Sequence, residues 1–166
     1  QLTSLGLKKI AVFYQNDAYG RAGLDGVTLA LGALNMKPVA QATVERNSVD
    51  VAKAVEAILA AKPEAIVQVS AYKSCAAFVR EARKAGFVGQ FCNVSFVGTA
   101  ALAQELGADA RGVVVSQVMP YPFGSTVAIV RDYQDALKTA GGDLKPNYSS
   151  MEGYVAARVF TEAVRR

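Results

Sequence analysis

The stretch KIAVFYQNDAYGRAGLDGVTLALGAL, residues 9–34, decides the fold class because it joins two hydrophobic periodicities. Residues 9–14 form a short apolar run rich in β-forming side chains, which is typical of a strand buried on both faces. From Tyr19 to Leu34, apolar residues recur at helical spacing, including Leu24, Val27 and Leu31. A buried strand followed at once by a helix predicts the βα unit of an α/β domain.

The same unit recurs along the chain. After the first βα unit, the pattern predicts strands at 38–44, 65–69, 87–94 and 111–117, and helices around 51–59, 74–85 and 99–106. Ser48 or Asp50 is the expected cap of the helix around 51–59. Short strands that alternate with longer helices predict a parallel sheet with helices on both faces. We therefore expect a three-layer αβα, Rossmann-like lobe with a five-stranded parallel sheet.

The pattern changes after the fifth strand. Pro120, Pro122 and Gly124 form a cluster of breakers, and two predicted helices near 126–140 and 149–166 follow with no strand between them. We predict a ligand-binding lobe at 1–118, a hinge or crossing segment at 119–124, and a helical segment at 125–166 that belongs to another lobe. Residues 1–6 look like the tail of a helix ended by Gly6, so we expect a piece of a longer protein.

Composition excludes several classes of function. The net charge of +4 is spread over scattered residues, which indicates no nucleic-acid partner. The chain has no histidine, and Cys75 and Cys92 lack CxxC spacing, so we expect no metal site. The two thiols are either free or an oxidised pair. No run reaches transmembrane length, and no signal peptide is visible at the start.

The sequence also lacks the common motifs for nucleotide binding and catalysis. Gly20, Gly23 and Gly26 are spaced by three, whereas a dinucleotide fingerprint needs GxGxxG. There is no GxxxxGK[ST] loop and no GxSxG elbow. We therefore predict a protein that is not an enzyme and that has no cofactor.

A binding site is expected where the strands end. In open parallel sheets, ligands bind outside the carboxyl ends of the strands, where helix N-termini converge. The side chains predicted there are polar, hydroxyl-bearing or aromatic and carry little charge, which suits a small amphipathic ligand. The candidates are Asp17, Tyr19, Ser70, Tyr72, Ser95 and Phe96.

Each candidate also has a purely structural interpretation. Asp17 or Tyr19 could serve only to begin a helix, and Ser95 could be a turn former. Phe96 lines the cleft or packs against the helix that begins at Thr99.

Five segments resemble the second lobe of the type I periplasmic solute-binding proteins, the Leu/Ile/Val-binding family. They are KKIAVFYQNDAYGRAGLDGV, EAIVQVSAYKSCAAFVREARKAG, GQFCNVSFVGTAALAQELG, RGVVVSQVMPYP and SMEGYVAARVFTEAVRR. The resemblance implies a periplasmic receptor that holds an amino acid-like solute between two lobes. It also implies delivery of that solute to the membrane permease of an ABC importer. A ligand-sensing effector domain of a regulator with the same fold is the alternative.

The resemblance assigns roles to three positions. Tyr19 matches the tyrosine that covers the ligand, and Tyr72 matches the one that lines the side-chain pocket. Ser95 stands where amino acid binders often place an acid that pairs with the ligand ammonium. Serine cannot supply that charge, so a carboxylic acid, an amide or an aromatic acid is an alternative ligand to an amino acid. The sequence assigns no oligomeric state.

Overall fold

The computed structural model describes residues 2–166, which fold as five strands, six α-helices and three short 3-10 turns. The strands are β1 (Ile10–Gln15), β2 (Ala40–Val44), β3 (Ala65–Val69), β4 (Gln90–Asn93) and β5 (Val113–Val115). The helices are α1 (Ala18–Gly32), α2 (Ala52–Ala60), α3 (Tyr72–Lys84), α4 (Thr99–Leu106), α5 (Ala128–Ala140) and α6 (Tyr148–Arg165). The 3-10 turns are Thr3–Leu5, Ser95–Val97 and Gly107–Ala110.

The strands form one parallel sheet in the order β2-β1-β3-β4-β5. Strand β3 lies at the centre of the sheet. Its residue Gln68 is in register with Phe13 of β1 and with Asn93 of β4. This all-parallel sheet with helices on both faces confirms the predicted α/β fold class.

The two faces of the sheet carry different cores. One face packs against α2, α3 and α4 through large buried side chains such as Phe13, Phe78 and Phe91, and the Phe13 and Phe78 ring centroids lie 4.2 Å apart. The other face packs against α1, where Ile10 and Leu31 are buried together. Alternate residues of each strand point to opposite faces of the sheet. Because helices cover both faces, nearly every residue of a strand is apolar.

Two helix starts differ from the sequence prediction. Neither Ser48 nor Asp50 caps α2: the N-cap residue is Val51, and the Ser48 hydroxyl accepts the Asp50 N–H at 3.1 Å instead. Helix α3 begins at Tyr72, earlier than the predicted residue 74, and its first turn contains Ser74. The Ser74 hydroxyl donates to the Ser48 carbonyl oxygen at 2.6 Å, a contact between residues far apart in the sequence.

The chain divides into two compact units between Ser116 and Gln117. The second unit holds α5 and α6, whose small core consists of Val130, Tyr133 and Met151. The Tyr133 hydroxyl accepts the Asn147 N–H at 3.0 Å, and the Asn147 side chain caps α6 by accepting from the Ser150 N–H at 2.9 Å. At the other end of the chain, the expected helix tail is a 3-10 turn, Thr3–Leu5, that ends at Gly6 with φ of 82°.

Candidate ligand-binding site

Three neighbouring strands bring the predicted site residues to one edge of the first unit. Strands β1, β3 and β4 are adjacent and parallel, so their carboxyl ends meet at the same edge. Asp17 and Tyr19 follow β1, Ser70 and Tyr72 follow β3, and Ser95 and Phe96 follow β4. We call this edge, with these six residues, the rim.

Two features define the turn after β1: a carboxylate that caps α1, and a close approach of the Gly20 backbone to the Gln15 backbone. Asp17 is the N-cap of α1, and its side chain accepts from the Gly20 N–H at 3.0 Å and from the Gln15 side-chain amide. These bonds to the Gly20 N–H and to Gln15 hold the pKa of the Asp17 carboxyl below its usual value. A Cβ at Gly20 would lie only 1.9 Å from the Gln15 carbonyl oxygen, so this turn requires glycine. Asp17 therefore acts as a helix cap, and the cap fixes the position of Tyr19.

Tyr19 and Phe96 form an aromatic pair at the rim. Their ring centroids lie 4.6 Å apart, although the two residues follow different strands. Phe96 is 70% exposed, so much of its side chain is accessible from solvent at the rim. The Tyr19 hydroxyl is buried and has no hydrogen-bond partner among residues 2–166. Burial is the main cause that raises the pKa of Tyr19 to about 12, so its hydroxyl remains a donor at neutral pH.

Ser70 and Tyr72 lie at the start of α3. Ser70 is fully buried, and its carbonyl oxygen accepts from the Cys75 thiol at 3.5 Å. Tyr72 is the first residue of α3 and is half-buried, packed at the margin of the main core. The ammonium of Lys73 lies 6.0 Å from the centroid of the Tyr72 ring, which adds a positive charge to this end of the helix. The sequence interpretation did not single out Lys73, although this cation directly follows the predicted site residue Tyr72.

Ser95 begins the 3-10 turn Ser95–Val97 and is half-buried. Its carbonyl oxygen accepts the Gly98 N–H at 3.2 Å, which is the role of a turn former. Ser95 lies at the rim, next to the exposed Phe96, and within residues 2–166 no hydrogen bond joins it to Tyr19 or Tyr72.

Two buried amides lie behind the rim. Gln68 and Asn93 are in register on β3 and β4 and are both almost fully buried. Gln68 donates to the Cys75 carbonyl oxygen at 3.2 Å, whereas its own side-chain oxygen and both polar atoms of Asn93 have no partner among residues 2–166. Buried polar groups of this kind rigidify a site when they are satisfied and are costly when they are not. A glutamine inside the apolar run AIVQV was the sequence signal that could have identified Gln68.

The two carboxylates nearest the rim's first turn are both engaged. Asp17 caps α1, and Glu45, which follows β2, accepts from the Asn16 side-chain amide at 2.6 Å. The exposed concave surface beside α3 is a groove of about 460 Å³ whose lining includes Asp50, Lys73 and Arg80. This groove also contains Glu81 and Glu105, and none of the six rim residues lines it, so the Lys73 charge belongs to the groove. The rim itself offers hydroxyl groups and aromatic rings to a small molecule.

Within residues 2–166, no group of three or more potential ligand side chains could hold a metal ion. Both cysteines are free thiols. No helix in this part of the chain is both long enough and apolar enough to cross a lipid bilayer.

Comparison with known proteins identifies the family of this fold. The model of the family described as periplasmic binding protein matches residues 1–166. A search of curated proteins finds no match.

Several solved structures are similar to this chain. A possible leucine/isoleucine/valine-binding protein from Rhodopirellula baltica SH 1 is 34% identical with a TM-score of 0.93, and the match covers 98% of this chain and 46% of that one. A substrate-binding periplasmic protein from Ralstonia solanacearum is 35% identical with a TM-score of 0.90, over 99% of this chain and 47% of that one. A leucine-binding protein from Thermotoga maritima MSB8 shares the fold at 20% identity and a TM-score of 0.82, over 99% and 47%. The chain thus spans about half the length of the structures it matches.

Proposed function

The chain belongs to the periplasmic binding protein family, and from this membership we propose that it supplies half of the binding site of an extracytoplasmic solute receptor. The family consists of binding proteins, and its name implies a location outside the cytoplasm. The observation that carries the proposal is the Tyr19–Phe96 pair, with ring centroids 4.6 Å apart at the carboxyl ends of β1 and β4. This is the edge at which open parallel sheets bind ligands.

The rim supports a small organic solute as the ligand. Aromatic faces and hydroxyl donors together suit an amphipathic molecule, which buries its body against rings and its polar group against donors. Similar structures include a possible leucine/isoleucine/valine-binding protein and a putative branched-chain amino acid ABC transporter from Rhodospirillum rubrum. We therefore place the solute among amino acids and related acids or amides, and we propose the permease of an ABC importer as the membrane partner.

The whole protein is proposed to close two lobes around the solute. Residues 1–118 contribute one lobe, 119–124 act as the hinge, and 125–166 belong to the second lobe. Closure then requires contacts from both lobes to the same ligand, because a ligand shifts a conformational equilibrium only by its differential affinity for the two states.

The test of this proposal is the loss of affinity in Tyr72→Ala. Removing a ring that lines the pocket should weaken solute binding by about 1 to 2 kcal/mol, measured by titration calorimetry with amino acids, acids and amides. Tyr72→Phe keeps the ring and should retain most of the affinity. Leu34→Ala, an exposed position just beyond the C-terminal end of α1, is the matched control and should bind as the unaltered chain does. Equal affinities in the Ala variant and the control, with unchanged melting temperatures, would contradict the pocket assignment.

A further inference from the structure

Helices cover the two faces of the sheet unequally. Helices α2, α3 and α4 pack on one face, whereas α1 packs mainly on β1 and β3 of the other face. All-parallel sheets occur almost only with helices over both faces. Within the first compact unit, the α1 face of β4 and β5 is therefore an incomplete layer.

One row of side chains on the α1 face shows where the cover ends. The row consists of residues in register across β1, β3, β4 and β5: Val12, Val67, Cys92 and Val114. Val12 is fully buried, Val67 and Cys92 are only partly buried. Val114, on the edge strand, is 44% exposed. By contrast, the neighbouring row on the opposite face is still buried at Phe91 of β4, so the exposure belongs to one face of the sheet.

The uncovered area is an apolar groove of about 350 Å³, which we call the β4–β5 groove. Its lining includes the β3, β4 and β5 members of this row. Helix α1 and the residues just beyond it line one side with apolar residues at helical spacing: Val27, Leu31 and Leu34. Among residues 2–166, no charged side chain lines the groove. An exposed and uncharged apolar area of this kind commonly marks a surface that another element covers.

A helix is the element that fits the β4–β5 groove. The floor is the pleated surface of the sheet and one wall is α1, so a helix beside α1 would complete the outer layer of an αβα lobe. A five-residue strand is about 17 Å long, and a helix of about 11 residues spans that length. Such a helix needs apolar residues at spacings of three and four on the side that meets the sheet.

The lengths of the related structures indicate where this helix comes from. The matched structures are about twice as long as this chain. A complete protein of that length has far more additional chain than a helix of about 11 residues requires. A helix from the same polypeptide also loses less entropy on docking than a separate molecule does, because it is already tethered to the lobe.

We propose that the β4–β5 groove is the docking surface for an amphipathic helix from the part of the complete protein outside residues 1–166. That helix lies along Cys92 and Val114 and buries the edge of the sheet. Strand β5 has only three residues, and the second compact unit begins two residues after it. Docking therefore stabilises the strand from which the chain leaves the first unit. This inference goes beyond the proposed function, since it does not depend on the solute.

The two cysteines allow a test within one molecule. Cys92 lines the groove, whereas Cys75 is fully buried in the main core and reports any general opening of the lobe. Residues 1–166 and the complete protein are each treated with N-ethylmaleimide, and the modification of each thiol is followed by peptide mass spectrometry. We expect Cys92 to react about tenfold or more faster than Cys75 in residues 1–166. In the complete protein, the rate of Cys92 should approach that of Cys75.

A carboxylate in the groove gives an independent readout. Val114→Asp should lower the melting temperature of the complete protein by about 5 °C more than that of residues 1–166, because an unpaired carboxylate is costly only where it is buried. The loss of strand propensity in β5 is the same in both proteins, so the difference isolates burial. Val88→Asp, at a 98% exposed position before β4, is the matched control and should shift both proteins equally.

The outcomes separate this inference from the proposed function. The same ratio of Cys92 to Cys75 rates in both proteins would overturn the docking helix, as would equal effects of Val114→Asp in both. Protection of Cys92 that rises with the concentration of residues 1–166 alone would assign the groove to a second copy of the chain and overturn it as well. Each of these results leaves the receptor function standing, because the solute titrations at the rim test that function separately.

Discussion

Asp17 and Glu64 fix the backbone at opposite edges of the sheet. Asp17 caps α1 after β1, and Glu64 precedes β3 and accepts the N–H groups of Lys8 and Lys9 at 2.7 and 2.9 Å. Single carboxylates at strand ends thus organise both the rim and the entry of β1 into the sheet.

Glu64 should make stability depend on pH. The backbone bonds from Lys9 and Lys8 lower its pKa below the usual 4.5, so its contribution is present above that value and is lost as pH falls through the lower folded pKa. Glu64→Gln should therefore reduce the stability near neutral pH and flatten its decline in acid. Urea midpoints at about pH 7 and about pH 3 check this. The exposed Glu56→Gln is the control, and an equal loss in both variants would contradict the role of Glu64.

Ser95 offers a residue-scale test of ligand charge. A carboxylate introduced by Ser95→Glu would follow β4, the neighbour of β3, and would add a negative charge to the rim. We expect it to weaken binding of acids several-fold and to favour amino acids, whose ammonium it could pair with. Affinity series for matched acids and amino acids measure the change. An unaltered ligand profile would show that Ser95 does not face the ligand.

Single residues mark the limit of sequence prediction. The ends of the predicted strands were enough to predict that Tyr19, Ser70 and Phe96 lie at the rim, because the carboxyl ends of parallel strands meet at one edge. The role of Ser74 was not accessible, since its partner is the Ser48 carbonyl oxygen across the fold. Among residues 2–166, the Gln68 side-chain oxygen and both polar atoms of the Asn93 side chain lack a partner, and their position depends likewise on strand register, which no local pattern encodes.

At the scale of elements, helix α1 packs closely on β3 beside the rim. Its Gly23 packs directly on Val69, the last residue of β3, and a Cβ at Gly23 would lie 2.5 Å from the Val69 Cγ1 atom. The small residue lets the helix approach the sheet closely next to Ser70 and so couples the packing of α1 to the site.

The two glycines of α1 should respond in opposite ways to alanine. Gly23→Ala forces α1 away from Val69 and should destabilise the chain by about 1 to 3 kcal/mol. Gly26→Ala meets no atom within 4 Å and should stabilise it by about 0.5 to 1 kcal/mol, because alanine is the better helix former. Chemical denaturation of both variants measures the difference. Equal effects would contradict the close packing of α1 on β3.

The elements themselves followed closely from hydrophobic periodicity. The predicted bounds of β3 and α4, at 65–69 and 99–106, agree with the structure, since each is a clear apolar pattern between breakers. Strands β4 and β5 are shorter than the predicted 87–94 and 111–117, and for β4 one reason is that an apolar residue before the strand packs on the core from outside the ladder. Phe87 shows this, since its ring packs on Phe91 at 5.0 Å from a position before β4.

At the scale of the whole molecule, the chain has two compact units and exposed apolar side chains on its last helix. Val159, Phe160 and Val164 of α6 are each at least 65% exposed, and contiguous exposed apolar surface commonly marks an interaction site. The matched structures are about twice as long as this chain. The rim in the first unit is therefore proposed as one half of the complete site.

The central claim is that a solute binds at the carboxyl ends of β1, β3 and β4. The most direct measurement is a map of backbone amide shifts in the labelled chain, recorded with leucine, valine, phenylalanine and matched acids and amides. The account predicts saturable shifts clustered at Tyr19, Tyr72 and Ser95 for at least one of these solutes. Shifts confined to the opposite edge of the sheet, around Glu64 and Gly89, would contradict it.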